Sequence, residues 1–249
     1  MNTSNDNVMQ QNRVPEAILN PSKEKIQQDA KAVYDIVSGG GIGILHYDVS
    51  YAIMSASEEA LRHVYAAKGR SFDRASGVVG SFEIHDSVHD LSSEKRAMVR
   101  AVTVDNNLPL SVIATYKKDH PFMAKLSPWL LEMATRDGTV NFLLNAGELR
   151  DRVAEYCWQE QRPFIASSAN ASLKGTKYRV EDIEPEVLAA ADIVINYGPS
   201  RHIQTKSLSS TQIDFRTMKV VRFGIFFEEI SAVLKRDFGV ELPANPYAA

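Results

Sequence analysis

Apolar residues follow two different spacings along the chain, and these spacings predict helices interleaved with strands. Apolar residues three and four positions apart predict helices over residues 23–37, 57–67, 93–103, 148–161 and 227–238. Shorter apolar runs predict strands over residues 42–45, 78–84, 110–116, 140–144, 164–166 and 193–195. Residues 210–214 and 219–222 predict a hairpin. Strands that alternate with helices are typical of an α/β or mixed-sheet domain.

The chain shows no internal repeat and no change of composition that would mark a linker between domains. We therefore expect a flexible lead over residues 1–22, a single domain over residues 23–240 and a tail over residues 241–249. Residues 46–51 are polar and aromatic, and they predict a turn at the end of the first strand. Ligands often lie at such strand ends in α/β sheets.

Charge and cysteine content exclude several classes of protein. The net charge is −3, so no overall positive field indicates nucleic-acid binding, although a local basic groove remains possible. Cys157 is the only cysteine, which excludes an intrachain disulfide and a cysteine-rich zinc site. Its spacing from Leu149 and Val153 predicts the buried face of a helix. No apolar run approaches the roughly 20 residues of a membrane span, so we expect a cytoplasmic protein without membrane contact.

A segment of small polar residues follows the strand predicted at 164–166. Ser167, Ser168, Asn170 and Ser172 come directly after it, and Gly175 ends the segment. Such residues allow backbone N–H groups and short side chains to surround an anion. The alternative is that they form only the turn that any strand needs.

A cluster of basic residues follows the helix predicted at 57–67. Lys68, Arg70 and Arg74 fall within seven residues, and Gly69 separates the first two. A lysine provides a point charge and an arginine a fork of donors, which together suit a polyphosphate. The alternative is a solvated basic helix end, which the helix dipole favours.

Four of these stretches occur in the order found in a known family. Lys68-Gly69-Arg70 follows a helix, Ser167-Ser168-Ala169-Asn170 follows a strand, and Ser210-Thr211 precedes Val220-Val221-Arg222. In this order the sequence resembles the YrdC-like family, whose best-known members are threonylcarbamoyl-AMP synthases. The resemblance covers roughly residues 25–225. It implies an α/β fold in which helices flank a twisted mixed β-sheet around a deep basic cavity.

The resemblance also implies a reaction. The family joins L-threonine, bicarbonate and ATP into threonylcarbamoyl-AMP and pyrophosphate, for tRNA modification. ATP would be a substrate, with Mg²⁺ expected by analogy. The positions that match nucleotide-binding residues of the family are Lys68, Arg70, Ser168, Asn170 and Arg222. The positions that match the amino-acid side of the site are Tyr47, Asp48, Tyr51, Ser167, Ser210 and Thr211.

The sequence departs from the family on the amino-acid side. Residues 46–53 keep Asp48 and Tyr51 of the family's Pro-Thr-Asp-Thr-x-Tyr-Gly-Leu element, but lack its proline, threonines and glycine. Residues 142–144 are Phe-Leu-Leu where the family has an arginine suited to a carboxylate. The departures predict an enzyme with altered amine or amino-acid specificity, acting in tRNA modification or in a biosynthetic process.

Two alternatives remain open at this stage. One is a non-catalytic module of the same fold that binds RNA or a nucleotide, and the other is a degenerate structural paralogue. No residue stands out as a general base, and no metal cluster is evident. The histidines at positions 85, 89 and 120 are scattered, and we expect them to be packing or surface residues.

Overall fold

A single mixed sheet of ten strands forms the centre of the computed structural model, which describes residues 14–203 and 208–247. The strands are β1 (Gly43–Tyr47), β2 (Ser50–Ser55), β3 (Gly77–Val79), β4 (Leu110–Thr115), β5 (Thr135–Arg136), β6 (Thr139–Leu144), β7 (Ile165–Ser168), β8 (Ile193–Ile195), β9 (Gln212–Asp214) and β10 (Lys219–Arg222). Their order is β10-β9-β4-β6-β3-β7-β2-β1-β8, and β5 pairs with β6. The predicted mixed α/β architecture is therefore confirmed.

Strand pairing is parallel in three places and antiparallel elsewhere. The pairs β1–β8, β3–β6 and β4–β9 are parallel. The pairs β1–β2 and β9–β10 are antiparallel hairpins, and β7 lies antiparallel between β2 and β3. This pairing confirms the hairpin predicted near residues 210–222.

Eight α-helices flank the sheet in the described part of the chain. They are α1 (Lys23–Ser38), α2 (Glu58–Ala67), α3 (Phe82–Val88), α4 (Ser93–Arg100), α5 (Pro128–Ala134), α6 (Glu148–Gln159), α7 (Pro185–Ala189) and α8 (Phe227–Phe238). The first five of these begin after a serine whose hydroxyl accepts a hydrogen bond from a backbone N–H of the first turn. Each such cap stabilises its helix by about 1 kcal/mol.

The two sides of the sheet at β1 and β2 are covered by different helices. Leu45, Tyr47 and Ala52 belong to the core that includes α1 and α6. Ile44 and Tyr51 belong to a smaller core beneath α2 and α7. Because successive side chains of a strand point to opposite faces, both faces of these strands are buried. Cys157 lies in the larger core, fully buried as predicted.

Two sequence predictions near these strands were wrong. Residues 46–51 are not simply a turn, because the chain folds back at Asp48 and Val49 and continues as β2. The six buried residues of β2 include two serines and show no polar–apolar alternation, so the pattern did not predict a strand. The strand predicted over 78–84 ends at Val79. Ser81 then caps α3, and Gly80 lies where a Cβ would come within 2.7 Å of the Phe142 ring.

The segment before α1 is held against the sheet. Ile18 N–H donates to the carbonyl oxygen of Asn196 at 2.9 Å, and the Asn196 side chain donates to the carbonyl oxygen of Pro15 at 2.8 Å. Hydrogen bonds therefore hold part of residues 14–22, where we expected a flexible lead. Residues 1–13 of that expected lead lie outside the described structure. Residues 248–249 of the expected tail also lie outside it. Across the helices that the structure describes, we find none with the length and apolar character of a membrane span.

Two buried histidines predict a dependence of stability on pH. The Nδ1 atoms of His85 and His89 lie 2.7 Å apart, and both rings are fully buried. Burial lowers the pKa of His85 to about 4 from the ordinary 6.5, and it also lowers the pKa of His89 well below 6.5. The unfolded chain therefore binds more protons below about pH 6.5, and stability falls as the pH falls from there towards about 4.

We expect the free energy of unfolding in urea to be about 2 kcal/mol lower at pH 5 than at pH 7.5 from His85 alone. The control is His63→Gln, which removes an exposed histidine and leaves the buried pair intact. A free energy of unfolding that is the same at both pH values would contradict the prediction.

Candidate functional site

A cavity of about 280 Å³ lies over the middle of the sheet, with β1, β2, β3, β6 and β7 contributing to its wall. Three arginines line it, namely Arg70, Arg150 and Arg222. Its other polar lining includes Ser76, Ser111, Asn141, Ser167, Ser168 and Ser210. Within the described ranges, no aspartate or glutamate lines this cavity. An excess of positive charge in a concave polar site favours an anionic ligand.

Arg70 is positioned by the end of α2. Gly69 has a φ of 56°, and its N–H bonds to the carbonyl oxygen of Ala66, while Arg70 N–H bonds to that of Tyr65 at 2.8 Å. These two hydrogen bonds make a Schellman motif, which turns the chain sharply out of the helix. The guanidinium of Arg70 then donates to the carbonyl oxygen of Ala75 at 2.7 Å. The glycine between Lys68 and Arg70 is therefore required by the backbone.

Lys68 lies behind the cavity wall and not in it. Its side chain is buried, and Nζ donates to the carbonyl oxygens of Ser168 and Asn170. Burial, followed by repulsion from Arg70, lowers the pKa of the Lys68 ammonium to about 7, and Glu184 partly opposes this shift. Lys68 thus fastens the segment after β7 to the end of α2.

The serine-rich segment after β7 divides between the cavity and its support. Ser168 pairs with Ala52 across the sheet, and both residues line the cavity together with Ser167. Asn170 does not line it. The Asn170 side chain is buried and donates to the carbonyl oxygen of Ala171 at 2.6 Å, while Oδ1 has no partner among the described residues.

Arg222 enters the cavity from the β9–β10 hairpin. Its Nε donates to the carbonyl oxygen of Ser210 at 2.9 Å, and its Nη2 donates to the hydroxyl of Ser210 at 3.0 Å. The Ser210 hydroxyl also lies 2.9 Å from that of Ser111. Thr211 has a structural position, fully buried, where its hydroxyl donates to the carbonyl oxygen of Ile225 at 2.9 Å.

Arg150 is one of the cavity residues that the sequence did not reveal. It lies in the first turn of α6 and is 1% exposed. Nη1 donates to the carboxylate of Asp151 at 2.6 Å, and Nη2 has no hydrogen-bond partner in the described parts of the chain. The available signal was its helical spacing with Ala154 and Cys157, which places an arginine on the buried face of the helix.

Tyr47 lines the cavity near Arg150. Burial raises the pKa of the Tyr47 hydroxyl to about 12, and the Arg150 guanidinium partly opposes this shift. The hydroxyl therefore stays protonated at neutral pH and can donate a hydrogen bond.

Three residues assigned to the amino-acid side do not line this cavity, namely Thr211, Tyr51 and Asp48. Tyr51 lies between Ser50 and Ala52, which line it, so its side chain points to the opposite face of β2. There the hydroxyl of Tyr51 donates to the carbonyl oxygen of Gly198 at 2.6 Å. Asp48 lines a second cavity of about 630 Å³, which contains charges of both signs, including Glu148, Asp151 and Arg201.

Comparison with known proteins establishes the fold. No protein-family model matches the sequence, and neither does any curated protein. A hypothetical protein from Streptococcus mutans UA159 superposes with a TM-score of 0.72 at 22% identity, covering 92% of this chain and 98% of that one. Sua5 from P. abyssi, in complex with L-threonine, gives a TM-score of 0.69 at 18% identity. That match covers 93% of this chain and 63% of Sua5.

E. coli YciO gives a TM-score of 0.61 at 17% identity, covering 83% of this chain and 92% of YciO. The chain has a YrdC-like fold. Since these identities lie below 25%, the likeness concerns the YrdC-like fold, and the activity has to be argued from the site.

Proposed function

We propose that the protein is an ATP-using enzyme that forms a carbamoyl- or acyl-adenylate from an amine or amino acid, bicarbonate and ATP. The observation that carries the proposal is the convergence of Arg70, Arg150 and Arg222 on one polar cavity that has no carboxylate in its described lining. The structural likeness to Sua5, a protein solved with L-threonine, supports a small-molecule substrate in a cavity of this fold.

The proposed chemistry has two steps, and the second needs positive charge beside the phosphates. Bicarbonate releases hydroxide to give CO₂, and the amine nitrogen forms a bond to its carbon while one C–O π bond opens. The proton that the nitrogen loses combines with the hydroxide to give water, which leaves a carbamate. A carbamate oxygen then attacks the α-phosphorus of ATP, the bond from this phosphorus to the bridging oxygen breaks, and pyrophosphate leaves. Arg70 and Arg222 would stabilise the charge that develops on the phosphate oxygens, and proximity in the cavity would favour the first step.

Ser167, Ser168 and Ser210 would add hydroxyl donors beside these arginines. Lys68 and Asn170 would act from behind the wall, by holding the turn that carries Ser168. Supporting roles would fall to Asp48, which lines the second cavity, and to Tyr51 and Thr211, whose hydroxyls donate to backbone carbonyl oxygens.

The cavity offers no described carboxylate as a ligand for Mg²⁺, so its residues do not fit a metal held by the protein itself. Magnesium would enter only as a companion of the ATP phosphates. No step in our proposal depends on it.

Pyrophosphate release in the presence of ATP, bicarbonate and a panel of amino acids and amines tests this function. We expect release that requires bicarbonate and one class of amine. ATP binding without release under any combination would favour the alternative, a non-catalytic nucleotide- or RNA-binding module. Absence of ATP binding at millimolar concentration would overturn the proposal.

A further inference from the structure

Arg150 has an unused donor that points to a second ligand group. An arginine with a purely structural role usually gives all its N–H groups to protein acceptors, because a buried N–H without a partner is unfavourable. Arg150 is 1% exposed, and its Nη1 donates to the carboxylate of Asp151 at 2.6 Å. Nη2 is buried without a protein partner among the described residues, and the side chain lines the cavity.

The position of Arg150 separates it from the other two arginines. It comes from α6, which packs on β1, and Tyr47 at the end of β1 lines the same cavity. Arg222 comes from the β9–β10 edge, and Arg70 from the loop after α2. Segments that lie near opposite edges of the sheet therefore supply positive charge to one cavity.

The charge balance around Arg150 favours a singly charged group. Asp151 already neutralises part of the guanidinium charge through Nη1. The N–H groups of Arg150 Nη2 and the neutral hydroxyl of Tyr47 remain for the ligand. This donor set suits one carboxylate better than a doubly charged phosphate. Arg70 and Arg222 have no acidic partner in the cavity lining described here, so the phosphates would favour them.

We propose that Arg150 binds the carboxylate of the second substrate, and that Asp151 is the positioning residue that turns its Nη2 towards the cavity. This inference rests on the proposed function and adds to it the residue that would hold the carboxylate of an amino-acid substrate. Residues 142–144 are Phe, Leu and Leu, so they supply no cation, and Phe142 and Leu144 are fully buried in the core. A guanidinium from α6 provides the positive charge instead.

The test compares carboxylates with their uncharged analogues. Isothermal titration of the wild-type protein with proteinogenic amino acids, and with the matching carboxamides, should show tighter binding of at least one amino acid by about tenfold or more. Arg150→Met should remove this preference, while Arg150→Lys should keep part of it. Asp151→Asn should weaken amino-acid binding without abolishing the preference. Circular dichroism checks that each variant is folded.

The control is Arg152→Met on the same helix, because Arg152 is 39% exposed and pairs with Glu155 on the surface. It should bind amino acids as the wild type does. Titration with ATP alone separates the two proposals, since Arg150→Met should retain ATP binding. Equal affinity for carboxylates and carboxamides, or no binding of any carboxylate by the wild type, would overturn the role of Arg150 while leaving nucleotide binding to be judged independently.

Discussion

Replacing Arg222 with methionine should weaken the binding of ATP by about 100-fold, which corresponds to about 2.7 kcal/mol. Arg222 is the cation that the β9–β10 edge supplies to the cavity, and the backbone and hydroxyl oxygens of Ser210 fix its direction. Methionine fills a similar volume without the charge.

Isothermal titration with ATP measures this effect. The control is Arg236→Met, because Arg236 lies on α8, away from the cavity, and bonds to Asp237 at the surface. Arg222→Lys keeps a charge but loses the second hydrogen bond to Ser210, and it should bind ATP with intermediate affinity. Equal affinities for the wild type and Arg222→Met would show that Arg222 does not contact the nucleotide.

Replacing Gly224 with alanine should lower the free energy of unfolding by about 3 kcal/mol or more. A Cβ at this position would come within 2.3 Å of the carbonyl oxygen of Ser209 and 2.4 Å of the backbone of Ser210. Backbone atoms cannot rotate away as a side chain can, so the two segments have to separate. Because Ser209 and Ser210 line the cavity, ATP binding should fall as well.

Urea denaturation measures the loss of stability, with Gly239→Ala as the matched control. Gly239 has a φ of 67° and open space around it, so alanine there meets only backbone strain. We expect that variant to lose about 1 kcal/mol and to bind ATP normally. Similar losses for the two variants would contradict the close approach at Gly224.

The elements that the sequence predicted well are those whose apolar spacing was regular. α1, α6 and α8 each have one buried face, and their ends were predicted to within a few residues. The strand β2 was missed because helices cover both of its faces, which removes the alternation that marks a half-buried strand. Burial on two sides is a tertiary effect that a local pattern does not contain.

Site residues could be predicted from the sequence where they lie next to a turn that requires a particular residue type. Gly69 forms the end of α2 that directs Arg70. The short motif Lys68-Gly69-Arg70 also identified Arg70 in the sequence. Arg150 was not identified, because its role depends on the packing of α6 against β1. Tyr51 was assigned to the site from its motif, although the alternation of β2 places it on the opposite face.

A crystal structure of the protein with a non-hydrolysable ATP analogue tests the central claim most directly. Our account predicts phosphate oxygens within hydrogen-bond distance of Arg70 and Arg222, with the backbone turn at Ser168 beside them. It also predicts that Arg150 remains available to a second ligand. A nucleotide found in the second cavity near Arg152 and Arg201, or on the outer surface, would contradict it.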